Sequence, residues 1–242
     1  MWRLLLLCLS VGMADAKDRV LLIGTAMSIE PYAFRQSESG IELDTIRAAM
    51  ALRGIQVNYA FYPLARLQRA FDADEVAAIT PVSSDLKIAN MHLSTSHIQY
   101  QNVVITTQER KLQINRFGDL AMLDIVAFQR AKDYLGPSFA AMANANPKYH
   151  EQARQDLQVA WLMQHKTDAI VLDIKIFHYW NNRLPTDVLP LPVDIHYLFP
   201  ASPYSVGFRS AGLRDLFDEG LKALQQSGGV EKIIQRYLVN DR

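Results

Sequence analysis

The order of elements along the chain predicts an α/β protein of two lobes, each a mostly parallel sheet flanked by helices. Three observations predict it. Apolar strand-like runs alternate with helical segments through residues 19–80, and the alternation returns more loosely from 102 to 195. One local plan also occurs twice, as "RLQRAFDADEVAAITPVSSDLK" (66–87) and "WLMQHKTDAIVLDIK" (161–175). Each copy runs through a helix, a polar turn, four apolar strand residues and an abrupt polar switch. A β-α-β-α-β order implies parallel strands covered by helices.

Taken in order, "RVLLIGTA" (19–26) is a continuous apolar strand, and "PYAF" then leads through polar residues to Gly40. Residues 41–53 place Ile41, Ile46, Ala49, Met50 and Leu52 on one side at helical spacing, and Gly54 ends that helix. "IQVNYAF" (55–61) alternates as a strand, "LARLQRAF" (64–71) is a short helix and "VAAIT" (76–80) a buried strand. Beyond these, "NVVITT" (102–107) and "DIVAF" (124–128) are strands, and 132–165 is helix-rich but broken by Gly136, Pro137 and Pro147. "DAIVLD" precedes the helix-like "IKIFHYWNN", and "DVLPLPVDI" (187–195) reads as a strand. "YSVGFR" (204–209) is the last strand, before helices over 213–227 and 230–238 split by Gly228-Gly229.

Composition bounds the function. Half of the 242 residues are apolar, about a fifth are charged, and the formal net charge is zero. Lys and Arg are scattered, so no nucleic-acid or anionic-membrane surface is expected. The opening "MWRLLLLCLSVGMADA" has an early Arg3, an apolar run from Leu4 to Met13 and the A-x-A site Ala14-Asp15-Ala16. It is expected to be a secretory signal peptide, residues 1–16, cleaved after Ala16. The run is shorter than the ~20 residues of a membrane span, so no membrane insertion is expected. Cys8 is the only cysteine, which leaves the mature chain without disulfides or thiol chemistry. The six histidines show no metal-ligand spacing, and no nucleophile elbow, P-loop or dinucleotide fingerprint occurs. The expectation is therefore no cofactor, no metal and no catalytic residue.

Ligands of open α/β sheets sit outside the carboxyl ends of strands. Asp173 ends the apolar run of "TDAIVLD", and Thr80, Ser83 and Ser84 end its counterpart "VAAI". Asp is also a favoured N-cap, here for "IKIFHYW", and the two roles are compatible. The serines and the threonine have the same double reading, as turn or cap residues.

Five segments in order, "VLLIGTAMSIEPYAF", "GIELDTIRAAMALRG", "EVAAITPVSSDLK", "TDAIVLD" and "LRDLFDEGLKALQQSGGVEKIIQRYL", carry a resemblance. The chain resembles the family 3, polar amino-acid-binding group of bacterial periplasmic solute-binding proteins, receptors of ABC transporters. The resemblance covers nearly the whole mature chain and is thin between about 108 and 165. It implies a type II periplasmic-binding-protein fold, with lobe 1 over 17–103 plus 200–242 and lobe 2 over 104–199. A two-strand hinge is implied near "VVIT" and "YLFPASP". The implied function is capture of a small polar solute, an amino acid or similar molecule, between the lobes by a periplasmic monomer that carries no reaction chemistry. The implied partner is an inner-membrane ABC permease. The alternatives are a sensor or accessory protein without a transporter and, less in keeping with the residues, a periplasmic enzyme such as a dehydratase.

Residue by residue, the resemblance puts Asp173 at the ligand's amino group and Lys87 where the carboxylate-binding Arg belongs. Lys keeps that charge but loses the bidentate fork. Tyr62 matches a stacking aromatic, Tyr32 a packing aromatic at the cleft edge, and Arg66 follows Tyr62 by one helical turn. Two departures stand out. Where relatives have Gly then Ser or Thr after a lobe-2 strand, this chain reads "FQRAKDY" (128–134), which brings in Arg130 and Lys132. The early acid and Tyr of amino-acid binders are Ala26 and Ile29. Donors for an α-carboxylate are thus removed while positive charge is added, which places an ordinary α-amino acid in doubt and leaves another small zwitterion or acid, or a peptide fragment, as alternatives.

Overall fold

The computed structural model describes residues 19–83 and 88–239. The expected leader, Ser84 and Lys87 lie outside the described residues. The chain runs β1 (Arg19–Ala26), α1 (Ile41–Ala51), β2 (Ile55–Tyr62), α2 (Leu64–Asp72), β3 (Ala78–Ser83), β4 (His92–Leu93), β5 (Ile98–Tyr100) and β6 (Asn102–Thr107). It continues β7 (Ile125–Phe128), α3 (Ala131–Tyr134), α4 (Pro137–Ala145), β8 (Tyr149–Gln152), α5 (Gln155–Met163), β9 (Ala169–Asp173) and α6 (Ile174–Asn181). β10 (Val193–His196), β11 (Ser202–Phe208), α7 (Ala211–Gln226) and α8 (Gly229–Leu238) complete it.

Two sheets form two lobes. The first has the order β2-β1-β3-β11-β4, with β5 also on β11, and the second β10-β6-β9-β7-β8. Each has a parallel centre, β2-β1-β3 in one and β8-β7-β9 in the other. The antiparallel members, β11 against β3 and β6 against β9, are the strands next to the crossings between lobes. Both sheets are therefore mixed, because strands that carry the chain across return against the direction of the βαβ units.

The local sequence explains most elements. β2 alternates buried and exposed residues from Ile55 to Tyr59, as a strand with one face on a helix must. α7 packs on α1 so closely that Gly220 leaves no space for a side chain: a Cβ there would lie 2.1 Å from the Ala49 carbonyl oxygen. β3 runs Ala78–Ser83 where a strand over 76–80 is expected, β4 and β5 are not expected at all, and two further elements differ. The strand expected over 187–195 is confined to Val193–His196, since Pro190 and Pro192 offer no N–H to a ladder. β8, "YHEQ", is a polar edge strand inside the segment expected to be helical.

The two crossings run through Gln101 and through 197–201, between β10 and β11. The Gln101 side chain ties them together, donating from Nε2 to the Phe199 carbonyl at 2.9 Å. One apolar core lies in lobe 1 around Ile23, Leu43 and Phe217, and another in lobe 2 around Ile125, Phe139 and Val171. A third spans both, packing Tyr32, Ile41 and Ile98 of lobe 1 with Val103, Ile170 and Leu172 of lobe 2.

Candidate functional site

The carboxyl ends of the central strands converge on the gap between the lobes. Thr25 of β1 sits in register with Thr80 of β3, and Ala26 with Tyr62 of β2. In lobe 2, Asp173 ends β9 opposite Asn102 of β6. A cavity of about 670 Å³ opens there. Its walls include Ser28, Ile29, Glu30, Tyr100 and Tyr204 on the lobe-1 side. Facing them are Asn102, Phe128, Tyr134, Arg154, Asp173 and Trp180.

Asp173 is the buried acid of this cavity, 3% exposed. Its Oδ1 accepts the Lys175 and Ile176 amides at 2.8 and 3.1 Å, which makes it the N-cap of α6. The Tyr32 hydroxyl donates to the same oxygen at 2.7 Å from the other lobe, and the Gln101 amide donates to Oδ2 at 2.7 Å. Both sequence readings of Asp173 thus meet in one residue, a cap that also forms cavity wall. An ionised carboxylate has about four acceptor positions over two oxygens. Oδ1 is saturated, whereas Oδ2 holds one donor and keeps acceptor capacity. Burial pushes the Asp173 pKa above the ordinary carboxylate value, opposed first by the Tyr32 hydroxyl and then by the Gln101 amide.

Tyr32 is fully buried and does not face the cavity directly. It stacks on Tyr100, centroids 4.1 Å apart, and Tyr100 in turn leans on Tyr204 at 5.0 Å. Thr80 is also fully buried and gives its hydroxyl to Glu42 Oε1 at 2.6 Å. Glu42, 1% exposed, faces His97 Nε2 at 3.4 Å and receives the Tyr100 hydroxyl at 3.4 Å. Thr80 therefore belongs to a polar cluster beneath Tyr100, not to the cavity wall. Ser83 is exposed and pairs in register with Tyr204 of the wall.

The remaining expected residues stand apart from the cavity wall. Tyr62 donates to Glu75 at 3.2 Å, and Arg66 lies over the Tyr62 ring while pairing with Glu75 at 3.3 Å. Arg130, with a left-handed backbone at φ 65°, bonds Asp133 through Nε at 2.8 Å. The turn it occupies is capped from within the protein. Glu151 accepts the Arg130 amide at 2.7 Å, the Lys132 amide at 3.3 Å and the Tyr149 hydroxyl at 2.9 Å. The amides of this turn thus hold the protein's own carboxylate. Among the described residues, no group of three or more His, Cys, Asp or Glu side chains is placed to hold a metal ion.

Sequence reasoning missed Tyr100, Tyr204, Trp180 and Glu30 of the wall, and Glu42 and His97 beneath it. None has a local signature. Tyr100 is brought in by a three-residue strand and Tyr204 by the return crossing, and both placements are tertiary.

A family model for the bacterial extracellular solute-binding proteins, family 3, matches residues 21–240. The chain belongs to that family. No curated protein matches the chain by sequence. Among solved structures, the fold is shared with a polar amino acid ABC uptake transporter substrate-binding protein from Streptococcus thermophilus. Identity is 16% over 90% of this chain and 86% of that one, with a TM-score of 0.68. A substrate-binding protein of an ABC uptake transporter from Streptococcus pneumoniae, with bound histidine, is 18% identical. It covers 92% of this chain and 93% of its own, with a TM-score of 0.61. A histidine kinase sensor domain similar to periplasmic binding proteins is 18% identical over 91% of this chain and 96% of its own, at 0.64. At such identities these structures establish the two-lobe fold. The family is one of extracellular binding proteins, and no described helix is long and apolar enough to cross a membrane.

Proposed function

We propose that this chain is an exported, periplasmic receptor that captures a small polar solute bearing an amine between its lobes. The closed form is then read by a partner, an inner-membrane ABC permease. The single observation that carries this reading is Asp173, a buried carboxylate in the wall of the interlobe cavity with acceptor capacity left on Oδ2. Its supports are buried, hydrogen-bonded and rigid, so an ammonium entering there meets a preorganised partner. The acid and the aromatic walls suit binding of a cation.

Of the other residues read from the sequence, Ser83 lies beside the cavity, and Lys87 and Ser84 follow it in the chain. They are proposed contacts from lobe 1. Tyr62, Arg66 and Arg130 reach a solute only by leaving Glu75 and Asp133, so they are proposed at most as contacts of the closed form. A sensor without a transporter is the second reading, favoured by the shared fold of the kinase sensor domain.

A thermal-shift screen of the purified protein over amines, amino acids, organic acids and peptides tests the proposal. A true ligand at about 100 times its dissociation constant adds roughly 2.7 kcal/mol of stability. A screen in which no compound shifts the transition overturns the receptor reading. Mass spectrometry of whatever co-purifies names the solute directly.

A further inference from the structure

We propose that the cleft selects a small organic dication that lacks a carboxylate, a diamine or its guanidino counterpart, with Glu30 and Asp173 holding its two charged ends. This rests on the receptor reading above and adds the chemical class of the solute.

The first support is charge. Among the described residues, the cavity wall contains three carboxylates, Glu30, Asp156 and Asp173, against one guanidinium, Arg154. Arg154 is already committed to Asp156, through Nη2 at 2.5 Å and Nε at 3.2 Å. Glu30 and Asp173 are left without a paired cation among the described wall residues, although Lys175 on α6 lies near enough to Asp173 to favour its charged form. Glu30 makes no hydrogen bond or ion pair among the described residues, although it is only partly exposed. A zwitterion brings no net charge to such a cavity, whereas a dication matches both acids.

The second support is the balance of donors and acceptors. Beyond Asp173 Oδ2, the wall residue Gln155 has a buried Oε1 with no donor. Buried polar atoms without partners are uncommon, and this one calls for an N–H. Tyr100, Phe128, Tyr134, Trp180 and Tyr204 add aromatic faces, which attract ammonium and guanidinium groups. The third support is what the turn at Arg130 no longer offers. Its amides are filled by Glu151 and its guanidinium by Asp133, so a ligand carboxylate finds neither. Glu30 follows Ile29 in the chain, so it enters the site from a position next to one of the departures from the amino-acid binders.

Isothermal titration at pH 7 with matched pairs tests this: lysine beside 1,5-diaminopentane, arginine beside agmatine, and 1-aminopentane as the monoamine control. The expected result is that each decarboxylated compound binds at least about tenfold more tightly than its parent amino acid, the scale expected for a charge pair gained in a partly desolvated site. Glu30→Gln is expected to weaken the diamine by about tenfold and leave 1-aminopentane within about twofold. Glu30 supports no other group, so this variant is expected to fold, as circular dichroism would verify. A parent amino acid that binds as well as or better than its decarboxylated partner overturns the inference and leaves the receptor reading standing. A neutral or anionic ligand from the wider screen overturns both the inference and the amine part of the receptor reading, leaving a receptor for another class of solute. An unchanged diamine affinity in Glu30→Gln overturns the role of Glu30. Absence of any binder across the whole screen defeats the receptor reading itself.

Discussion

Asp173 holds three structural tasks on one side chain: the cap of α6, the bond to Tyr32 across the lobes, and the tie to Gln101 at the crossing. Each donor stabilises the ionised form, yet burial outweighs them and raises the pKa. The sign of the linkage follows. A carboxyl whose folded pKa is raised binds its proton more tightly in the folded state. Its contribution is therefore largest at acid pH and falls as pH rises from the unfolded value, about 3.9, through the folded one. Asp173→Asn removes this titration and replaces an acceptor with an amide that meets the Gln101 N–H donor to donor. The variant is expected to be less stable by about 1–3 kcal/mol, the cost of a buried polar group left unsatisfied. The wild-type advantage should shrink between pH 4 and pH 7, measured as the difference in urea midpoints. A difference that grows with pH would mean that Asp173 is depressed, not raised, in the folded chain.

At the scale of elements, sequence and structure agree where one local rule dominates. β1 is a continuous apolar run paired with two parallel neighbours, buried from Ile23 to Thr25, and the apolar spacing of α7 and α8 matches the faces they bury. Asp173 was legible for the same reason, as a carboxylate ending an apolar strand. β8 was not legible, because its four residues are mostly polar and only pairing with β7 makes them a strand. Thr80 was expected to end its strand but lies inside β3, and its bond to Glu42 was not legible, since that contact depends on how α1 packs. Tyr62 and Arg66 were legible as neighbours at helical spacing, but their tie to Glu75 was not. Helix packing also yields a prediction. Gly220 is the position where α7 touches the backbone of α1, so Gly220→Ala would push Cβ into the Ala49 carbonyl. The gain in helix propensity, ~1 kcal/mol, is outweighed if α1 and α7 must separate. Overpacking of that kind costs about 1–3 kcal/mol. The variant is expected to unfold at lower urea, and an unchanged or higher midpoint would show that the two helices can move apart freely.

The whole molecule combines an open cleft between the lobes with a back that is already joined. Tyr32, Ile41 and Ile98 of lobe 1 share a core with Val103, Ile170 and Leu172 of lobe 2, and Ile234, Tyr237 and Leu238 of α8 pack against it. The Phe34 ring meets both Tyr179 of lobe 2 and Tyr237 of lobe 1, and the Asn182 amide donates to the Leu238 carbonyl at 2.7 Å. Two lobes tied this way are expected to unfold together, because losing one exposes the shared core of the other. In the proposed receptor, closure over a solute would act on a single cooperative unit, with Gln101 tying the two crossings together. Differential scanning calorimetry of the unliganded protein should show one transition, with calorimetric and van't Hoff enthalpies equal. With the ligand at about 100 times its dissociation constant, that one peak should move up as a whole by the roughly 2.7 kcal/mol of linkage. Two resolved peaks would mean that the shared core does not couple the lobes. A ligand that shifted only one of those peaks would place the binding energy within one lobe rather than between them.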